Sequence, residues 1–503
     1  IQIIKEEPRK AELSAQQALE LCRSMGYRRA EGASLLTLVF ALLEKGESVR
    51  AQQIASESLQ AFKRAGDRRG EAAAYGCLTY VSAEKHDTEA ALQAADAEGQ
   101  VLREVGDRRG EAASTLTTSI VYIERRQGEE SLSAARKAQE LYQGLKDRKA
   151  EATCLYIQVF SHLLKENNND AESAAEEAQA IFQETGDRSW EARTLWAISV
   201  VHAVRADFEG AHTKAKEARA KFEEVADQKG VAASMLVSCD MFLETQEHDE
   251  AIAVAEEARQ ICRHIDYRRG QAACLQRQAM ANLGKGDADK ALVLATEARK
   301  ICRAVLDKQG ETNLLHTMIQ ASLELCKQSE NAMKALGNQK EGKDHAAAMR
   351  RAHREALQRA KSSVALARWL GDKLQLGISL MFLAQAEMMC GRFGEALKAG
   401  READPLFGLI GDGSNQAFAM AAVCEAHFFL KKLDLALETG NAALELAQKV
   451  ENWEAEGRAL KVIEDCRANA GPAQIEAAAE PLYDLRPVAA APSVVAEVKT
   501  GLE

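Results

Sequence analysis

Two glycines and a lysine have the spacing of a phosphate-binding loop at Gly337, Gly342 and Lys343. In such a loop backbone amides cradle the phosphates, and a Ser or Thr after the lysine holds magnesium. Here the next residue is Asp344, whose carboxylate repels phosphate, and no strand pattern precedes the glycines. We therefore interpret the segment as a glycine-rich turn. Lys343→Ala is expected to leave stability unchanged in the presence of nucleotide.

Cysteine and histidine residues share helical faces at two places, Cys424 with His427 and, more loosely, His345 with His353. Neither pair has the Cys-x-x-Cys or His-Glu-x-x-His partners of a zinc site. The sequence also has no Gly-x-Ser-x-Gly elbow around a nucleophile. We predict no catalytic residues, no metal and no cofactor, and hence that the protein is not an enzyme.

Arginine pairs recur along the chain and have two interpretations. They could form a basic ridge for an acidic partner, or each could pair with the Asp and Glu of its own or the adjacent turn, as with Asp67 and Glu71. Exposed ion pairs stabilise little individually, but a regular ladder could set the register between repeats. The pairs are Arg28–Arg29, Arg68–Arg69, Arg108–Arg109 and Arg268–Arg269.

The arginine pairs belong to a repeat of fixed length. Gly-Asp-Arg-Arg-Gly-Glu begins at Gly66 and again at Gly106, which gives a period of 40. A constant period of this size predicts a solenoid. The register is interrupted once, by an insertion between the copies at Leu306 and Gly371. Degenerate copies begin at Gly26, Lys146, Gly186, Ala226, Asp266 and Leu306, and after the insertion at Gly371, Gly411 and Glu451.

Small residues indicate two helices in each repeat. In helix B they recur at offsets 0, +4 and +7, as at Ala171, Ala175 and Ala178, which lie on one helical face. Helix A follows the Gly-Asp turn, where Asp67 is an N-cap and Gly66 suits the left-handed end of helix B. We predict an all-α, right-handed solenoid of antiparallel hairpins with about 22 helices.

Composition sets bounds on partners and compartment. The net charge of −11 argues against a nucleic-acid partner, which usually requires a basic domain. The 11 cysteines resemble small core residues kept reduced, and no apolar run is long enough to span a membrane. We expect an intracellular reducing compartment, with the cytoplasm favoured. Because the chain starts at Ile1 rather than Met, import into an organelle is the alternative.

The small-residue columns of helix B, with a small residue 12 positions earlier as at Ser119 or Ser199, resemble the tetratricopeptide signature. The period of 40 with its Gly-Asp-Arg turn is similar to the extended arrays of spindle-orientation adaptors that carry GoLoco motifs, and to long protist arrays. The resemblance implies a protein-binding scaffold.

In tetratricopeptide arrays helix A lines the concave face, and its inward positions form two columns, four residues apart. Carried onto this chain, the columns are apolar and aromatic toward the N-terminus and polar to acidic later, as at His316 and Glu425. They are either a groove for a peptide or helix, or core. The residues are Leu36, Phe40, Tyr80, Leu116, Ile120, Tyr156, Phe160, Trp196 and Val200.

The insertion carries a concentrated positive charge. We predict that repeats occupy 1–328 and 354–470, with a loop and a backward extension of helix B at 329–353 and a proline-containing tail at 471–503. The basic residues are a candidate contact for an acidic protein, RNA or anionic lipid, or a solvated helix face. They are Lys340, Lys343, Arg350, Arg351, Arg354 and Arg359.

The predicted function is a non-enzymatic scaffold or adaptor that binds one or more proteins through its concave face. The alternative is a structural subunit of a large organellar or ciliary assembly that uses its edges and termini. An RNA-associated repeat factor is a weaker third option, disfavoured by the net charge.

Overall fold

The computed structural model describes the backbone of residues 8–44, 47–85, 87–336 and 340–469. These ranges form 22 α-helices and contain no strand, which confirms the all-α prediction. The helices are α1 Pro8–Met25, α2 Arg28–Glu44, α3 Ser48–Ala65, α4 Arg68–Glu84, α5 Thr88–Glu104, α6 Arg108–Glu124, α7 Gly128–Gly144, α8 Arg148–Leu164, α9 Asn168–Thr185, α10 Arg188–Val204, α11 Phe208–Glu224, α12 Gln228–Glu244, α13 His248–His264, α14 Arg268–Gly284, α15 Ala288–Ala304, α16 Lys308–Leu336, α17 Lys340–Leu370, α18 Lys373–Met389, α19 Phe393–Ile410, α20 Gly413–Phe429, α21 Leu433–Lys449 and α22 Trp453–Asn469.

The helices belong to two compact units, the first ending at Met241 and the second beginning at Phe242. Within each unit consecutive helices pack against one another as hairpins. The odd-numbered helices correspond to helix B and the even-numbered ones to helix A. Most even-numbered helices also pack on the next even-numbered helix, as α2 does on α4 and α8 on α10, whereas odd-numbered neighbours in the described chain do not pack as closely. The even-numbered helices thus form the inner layer of each unit.

The turns follow the sequence pattern. The carboxylate of Asp67 accepts a hydrogen bond from the backbone N–H of Gly70, and Asp87 does the same for Ala90 at the start of an odd-numbered helix. The preceding Gly66 has φ 65°, the left-handed conformation that ends a helix. Non-glycine residues hold the same conformation in other repeats, among them Leu306 at φ 58°. The hairpin geometry therefore persists even where the turn sequence has lost its glycine.

Alanine columns form the contact between the two helices of a hairpin. Ala171, Ala175 and Ala178 of α9 are all 0% exposed, as the pattern of small residues predicts. Small side chains allow neighbouring helices to approach closely, so much of the core consists of many alanines rather than a few large side chains.

The helices around the insertion are longer than the others. α16 has 29 residues and α17 has 31, whereas most helices here have 17. The sequence predicts a loop at the start of the insertion, but α16 continues through Ser329 to Leu336, so helix A is lengthened as well as helix B. Residues 329–336 contain good helix formers and no glycine or proline. Residues 337–339 and the tail from 470 lie outside the described residues.

Ion pairs along the turns join one repeat to the next. Arg29 pairs with Asp67 of the following Gly-Asp turn, and Arg109 pairs in the same way with Asp147 at 2.8 Å. A second kind of pair joins Arg68 to Glu104 at the end of α5, while Arg68 also pairs with Glu71 of its own helix. Arg29, Arg68 and Arg109 therefore support the pairing interpretation over a basic ridge. Further members are Lys149–Asp187, Arg148–Glu184 and Arg188–Glu224.

Candidate partner-binding face

The inward columns lie on the inner, even-numbered helices, and their exposure changes along the first unit. Phe40 of α2 is 38% exposed and Tyr80 of α4 is 42% exposed. Leu36 and Ile120 are half-buried, and Leu116 is buried. Phe40 and Tyr80 occupy the same register position in adjacent repeats. They give the inner layer an exposed aromatic pair at its N-terminal end.

The later aromatic residues of the columns are core. Tyr156, Phe160 and Val200 are 0% exposed and Trp196 is 1% exposed. The rings of Tyr156 and Phe160 meet edge to face at 5.2 Å, and Phe160 lies 6.1 Å from Trp196 of the next inner helix. Aromatic rings from the two columns pack on one another within a helix and between adjacent inner helices, and this packing excludes water. Of the two interpretations of the columns, the core one holds for these four residues.

Close to Tyr80, the hairpin of α4 and α5 departs from the repeat pattern at two positions, Gly76 and Glu98. Gly76 of α4 occupies the column position that Leu36, Leu116 and Tyr156 occupy in other repeats. Glu98 of α5 occupies the +7 position of helix B, which is alanine in most repeats. A Cβ at Gly76 would lie 2.7 Å from Oε1 of Glu98, so the carboxylate takes the space of the missing side chain.

Burial is the main influence on the charge of Glu98. Burial raises the pKa of this carboxyl to about 7, and the nearby hydroxyl of Ser114 acts in the opposite direction. That hydroxyl donates its proton to the carbonyl oxygen of Ala95 at 3.1 Å. Among the described residues no lysine or arginine contributes a charge that lowers the Glu98 pKa. Sequence reasoning missed this residue, although its departure from the alanine column was a visible signal.

In the second unit the polar column residues make contacts inside the protein. Both carboxylate oxygens of Glu425 accept hydrogen bonds from the guanidinium of Arg458, at 2.9 and 2.8 Å. His316 Nε2 lies 2.8 Å from the hydroxyls of Ser363 and Ser379. Burial lowers the pKa of His316 to about 3, so the ring is neutral near pH 7. The polar groups of these column residues therefore have hydrogen-bond partners inside the protein.

The cysteine and histidine pair of α20 does not form a site. Cys424 donates to the carbonyl oxygen of Ala436 at 3.1 Å, and burial raises its pKa to about 12. His427 lies against the Arg401 guanidinium at 3.2 Å. Throughout the described ranges, no three His, Cys, Asp or Glu side chains are placed to hold a metal ion. Nor is any described helix long and apolar enough to cross a membrane.

The basic residues of the insertion differ in their surroundings. Arg350, Arg351 and Arg354 are exposed on α17. Arg359 is largely buried, pairs with Glu355 at 2.9 Å and hydrogen-bonds Ser322. It therefore has a packing role and is a poor contact for a partner. The side chains of Lys340 and Lys343 lie outside the described residues.

An exposed apolar edge runs along the helix turns of the last repeats. Trp369 and Leu409 stand two residues before successive left-handed glycines and are 64% and 71% exposed. Trp453, two residues after the equivalent position Glu451, is 79% exposed. In the first unit the turns carry ion pairs of the Arg68–Glu104 type. Large apolar side chains thus occupy the positions of the Arg68–Glu104 pair there, a signal in the sequence that the predictions missed.

No family model matches the chain, and no curated protein matches it. Similar solved structures include a signal transduction ATPase with a tetratricopeptide repeat sensor from Pyrococcus horikoshii, 16% identical, covering 69% of this chain and 53% of that one at a TM-score of 0.41. A Rap protein complexed with competence and sporulation factor is 12% identical, with 72% and 98% covered and a TM-score of 0.42.

A monomeric mutant of IFIT1 with Gppp-AAAA is 13% identical to this chain, covering 79% of it and 90% of that chain at a TM-score of 0.43. At such low TM-scores the likenesses carry no argument about function. The assignment of the fold rests on the helices of this chain itself.

Proposed function

We propose that the protein is a non-enzymatic scaffold of tetratricopeptide type that binds a peptide or helix of another protein on its inner layer of helices. The observation that supports this most directly is the exposure of Phe40 and Tyr80 at matching positions of α2 and α4. Exposed aromatic residues on a rigid helical layer are common anchors for a peptide or helix. We include in this proposal the resemblance of the 40-residue repeats to those of spindle-orientation adaptors.

The proposed interface is restricted to the N-terminal repeats. Tyr156, Phe160 and Trp196 pack on one another in the core, so a partner reaches Leu36, Phe40 and Tyr80 without displacing them. The cysteines are free thiols, and burial raises the pKa of most of those with a resolved shift, for example Cys77 to about 12. Such thiols suit a reducing intracellular compartment.

The test is a selection of short peptides from a randomised display library on the full chain. Peptides selected on the parent should bind Phe40→Ser/Tyr80→Ser at least about tenfold more weakly, because the aromatic anchors are lost. The matched control is Leu13→Ser/Val49→Ser, which removes two exposed apolar side chains from odd-numbered helices. Equal binding by parent and the Phe40/Tyr80 variant would contradict the proposed interface.

A structural subunit in a larger assembly is the second candidate, and the apolar edge at Trp369, Leu409 and Trp453 favours it. Large apolar side chains exposed at several successive turns commonly mark protein interfaces. In that case Trp369→Ser/Trp453→Ser should prevent co-purification of the assembly, whereas Phe40→Ser/Tyr80→Ser should not. The opposite result would favour the adaptor.

A further inference from the structure

Gly76 has no side chain, and the space beside it is occupied by the carboxylate of Glu98. This places a carboxylate next to the proposed partner-binding face. Gly76 and Tyr80 are four residues apart on α4, so they lie one turn apart on the same face, with Cβ positions about 5–6 Å apart. Glu98 reaches the Gly76 position from α5, with both carboxylate oxygens within 3.4 Å of where a Cβ would be. α2 and α4 pack directly, but α4 and α6 in the described chain are not as closely joined. The carboxylate therefore lies beside the exposed aromatic pair, at a break in the inner layer.

We propose that Glu98 binds the side chain of a lysine or arginine in the partner segment that occupies the face of Phe40 and Tyr80. The inference rests on the proposed function and names the chemistry of the partner: a cationic residue beside apolar ones. It is drawn from charge complementarity, since a half-buried carboxylate without a cationic neighbour is stabilised when a cation supplies hydrogen bonds to both oxygens.

The competing explanation is that Gly76 and Glu98 serve only the packing of α4 against α5. The alanine columns of the other repeats show that this position needs no carboxylate for the hairpin to close. Leucine stands at the equivalent of Gly76 in the repeats on either side, at Leu36 and Leu116. A glutamate facing a glycine thus replaces Leu36 with Ser58 in the preceding repeat and Leu116 with Ala138 in the following one, and neither of those pairs carries a charge. The raised pKa of Glu98 reflects the cost of burying its charge at this position.

The experiment compares peptide selections on the full-length parent, Glu98→Gln and Asp96→Asn. Asp96 is an exposed acid on the same helix, so Asp96→Asn removes one charge without touching the break. Peptides from the parent should share a Lys or Arg at a fixed distance from an apolar residue. Their affinity should fall about ten- to hundredfold on Glu98→Gln and stay unchanged on Asp96→Asn.

A second variant distinguishes a loss of binding from a loss of folding. Gly76→Leu/Glu98→Ala restores the residue types of the following repeat, Leu116 and Ala138, and should melt at or above the parent temperature while losing the basic preference. A marked loss of thermal stability in this variant would favour the packing explanation and overturn the inference.

The outcomes separate the two proposals. If the selected peptides depend on Phe40 and Tyr80 but show no basic position, or bind Glu98→Gln as well as the parent, the inference is wrong and the proposed interface stands. If they do not depend on Phe40 and Tyr80, the proposed interface is wrong and the inference fails with it.

Discussion

Two phenylalanines at the same register position provide the sharpest test of the proposed face. Phe160 of α8 is 0% exposed and Phe40 of α2 is 38% exposed. A buried aromatic side chain removes on the order of 150 Å² of apolar surface from water, worth about 4 kcal/mol at about 25 cal/mol per Å². Phe160→Ala should therefore destabilise its repeat by about 3–5 kcal/mol, including the cavity it leaves.

Phe40→Ala should reduce the free energy of unfolding by a smaller amount, because part of the Phe40 ring is already in water and solvent fills the space that the ring leaves. With roughly 60% of the same transfer energy and no cavity, the cost is about 2 kcal/mol. Repeat arrays do not unfold in one step, so the assay is hydrogen exchange of α8 and α2 rather than a single melting curve. Protection of α8 should fall by two orders of magnitude or more in Phe160→Ala.

Equal loss of protection in the two variants would refute the reasoning. It would mean that Phe160 is as open to solvent as Phe40 and that the proposed face extends along the whole first unit. Peptide binding provides a second readout. Phe40→Ala should weaken capture while leaving α8 fully protected.

Four other predictions concern stability. Burial lowers the pKa of His316 to about 3 from an ordinary 6.5, so the stability that depends on its neutral ring is present above pH 6.5 and is lost as the pH falls. Between pH 7.5 and 5.5 the local unfolding free energy of α16, measured by hydrogen exchange, should fall by about 1.4 kcal/mol more in the parent than in His316→Asn. Burial alone would raise the pKa of Glu311, but Arg303, Lys308 and Arg299 outweigh it and lower the pKa; Glu311→Gln should thus be less stable than the parent at pH 7, with the difference vanishing as pH falls below 4.5. Leu306→Gly should raise the local unfolding energy by up to about 1 kcal/mol, whereas Gly66→Ala should lower it similarly, since both positions have positive φ. Deleting residues 329–353 restores the period of 40 and should retain helicity and melting temperature; a large loss of either would show that the insertion supports the stack.

The sequence allowed the helices, their turns and their small-residue contacts to be predicted, because each depends on residues close together in the chain. The Asp67 cap, the left-handed Gly66 and the alanines of α9 are such local features. The exposure of the columns was not predictable in the same way. Phe40 and Phe160 have the same type and register, and only the surrounding rings distinguish them.

The candidate site could be predicted only in part. Phe40 and Tyr80 came from the repeat register, but Glu98 became visible only when its carboxylate was found in the space beside Gly76. The pairing of arginines also required coordinates, since Arg68 had acidic residues within reach both in its own helix and at the end of the next one. Charge in a sequence does not specify which partner a flexible side chain will choose.

The ladder of ion pairs also bears on how the chain can change in length. Arg29 and Arg109 each meet an acid in the following turn, and that acid recurs at the same position of four successive repeats, at Asp67, Asp107, Asp147 and Asp187. Removal of residues 67–106 would place Asp107 where Asp67 now receives Arg29, so the shortened chain regains the same contact. Loss or duplication of one whole repeat among these four leaves both new neighbours matched. A change of another length has to be absorbed inside the helices, as the insertion is by the lengthened α16 and α17. Within these repeats, a gain or loss of one complete hairpin is therefore the change in chain length that preserves the contacts between turns.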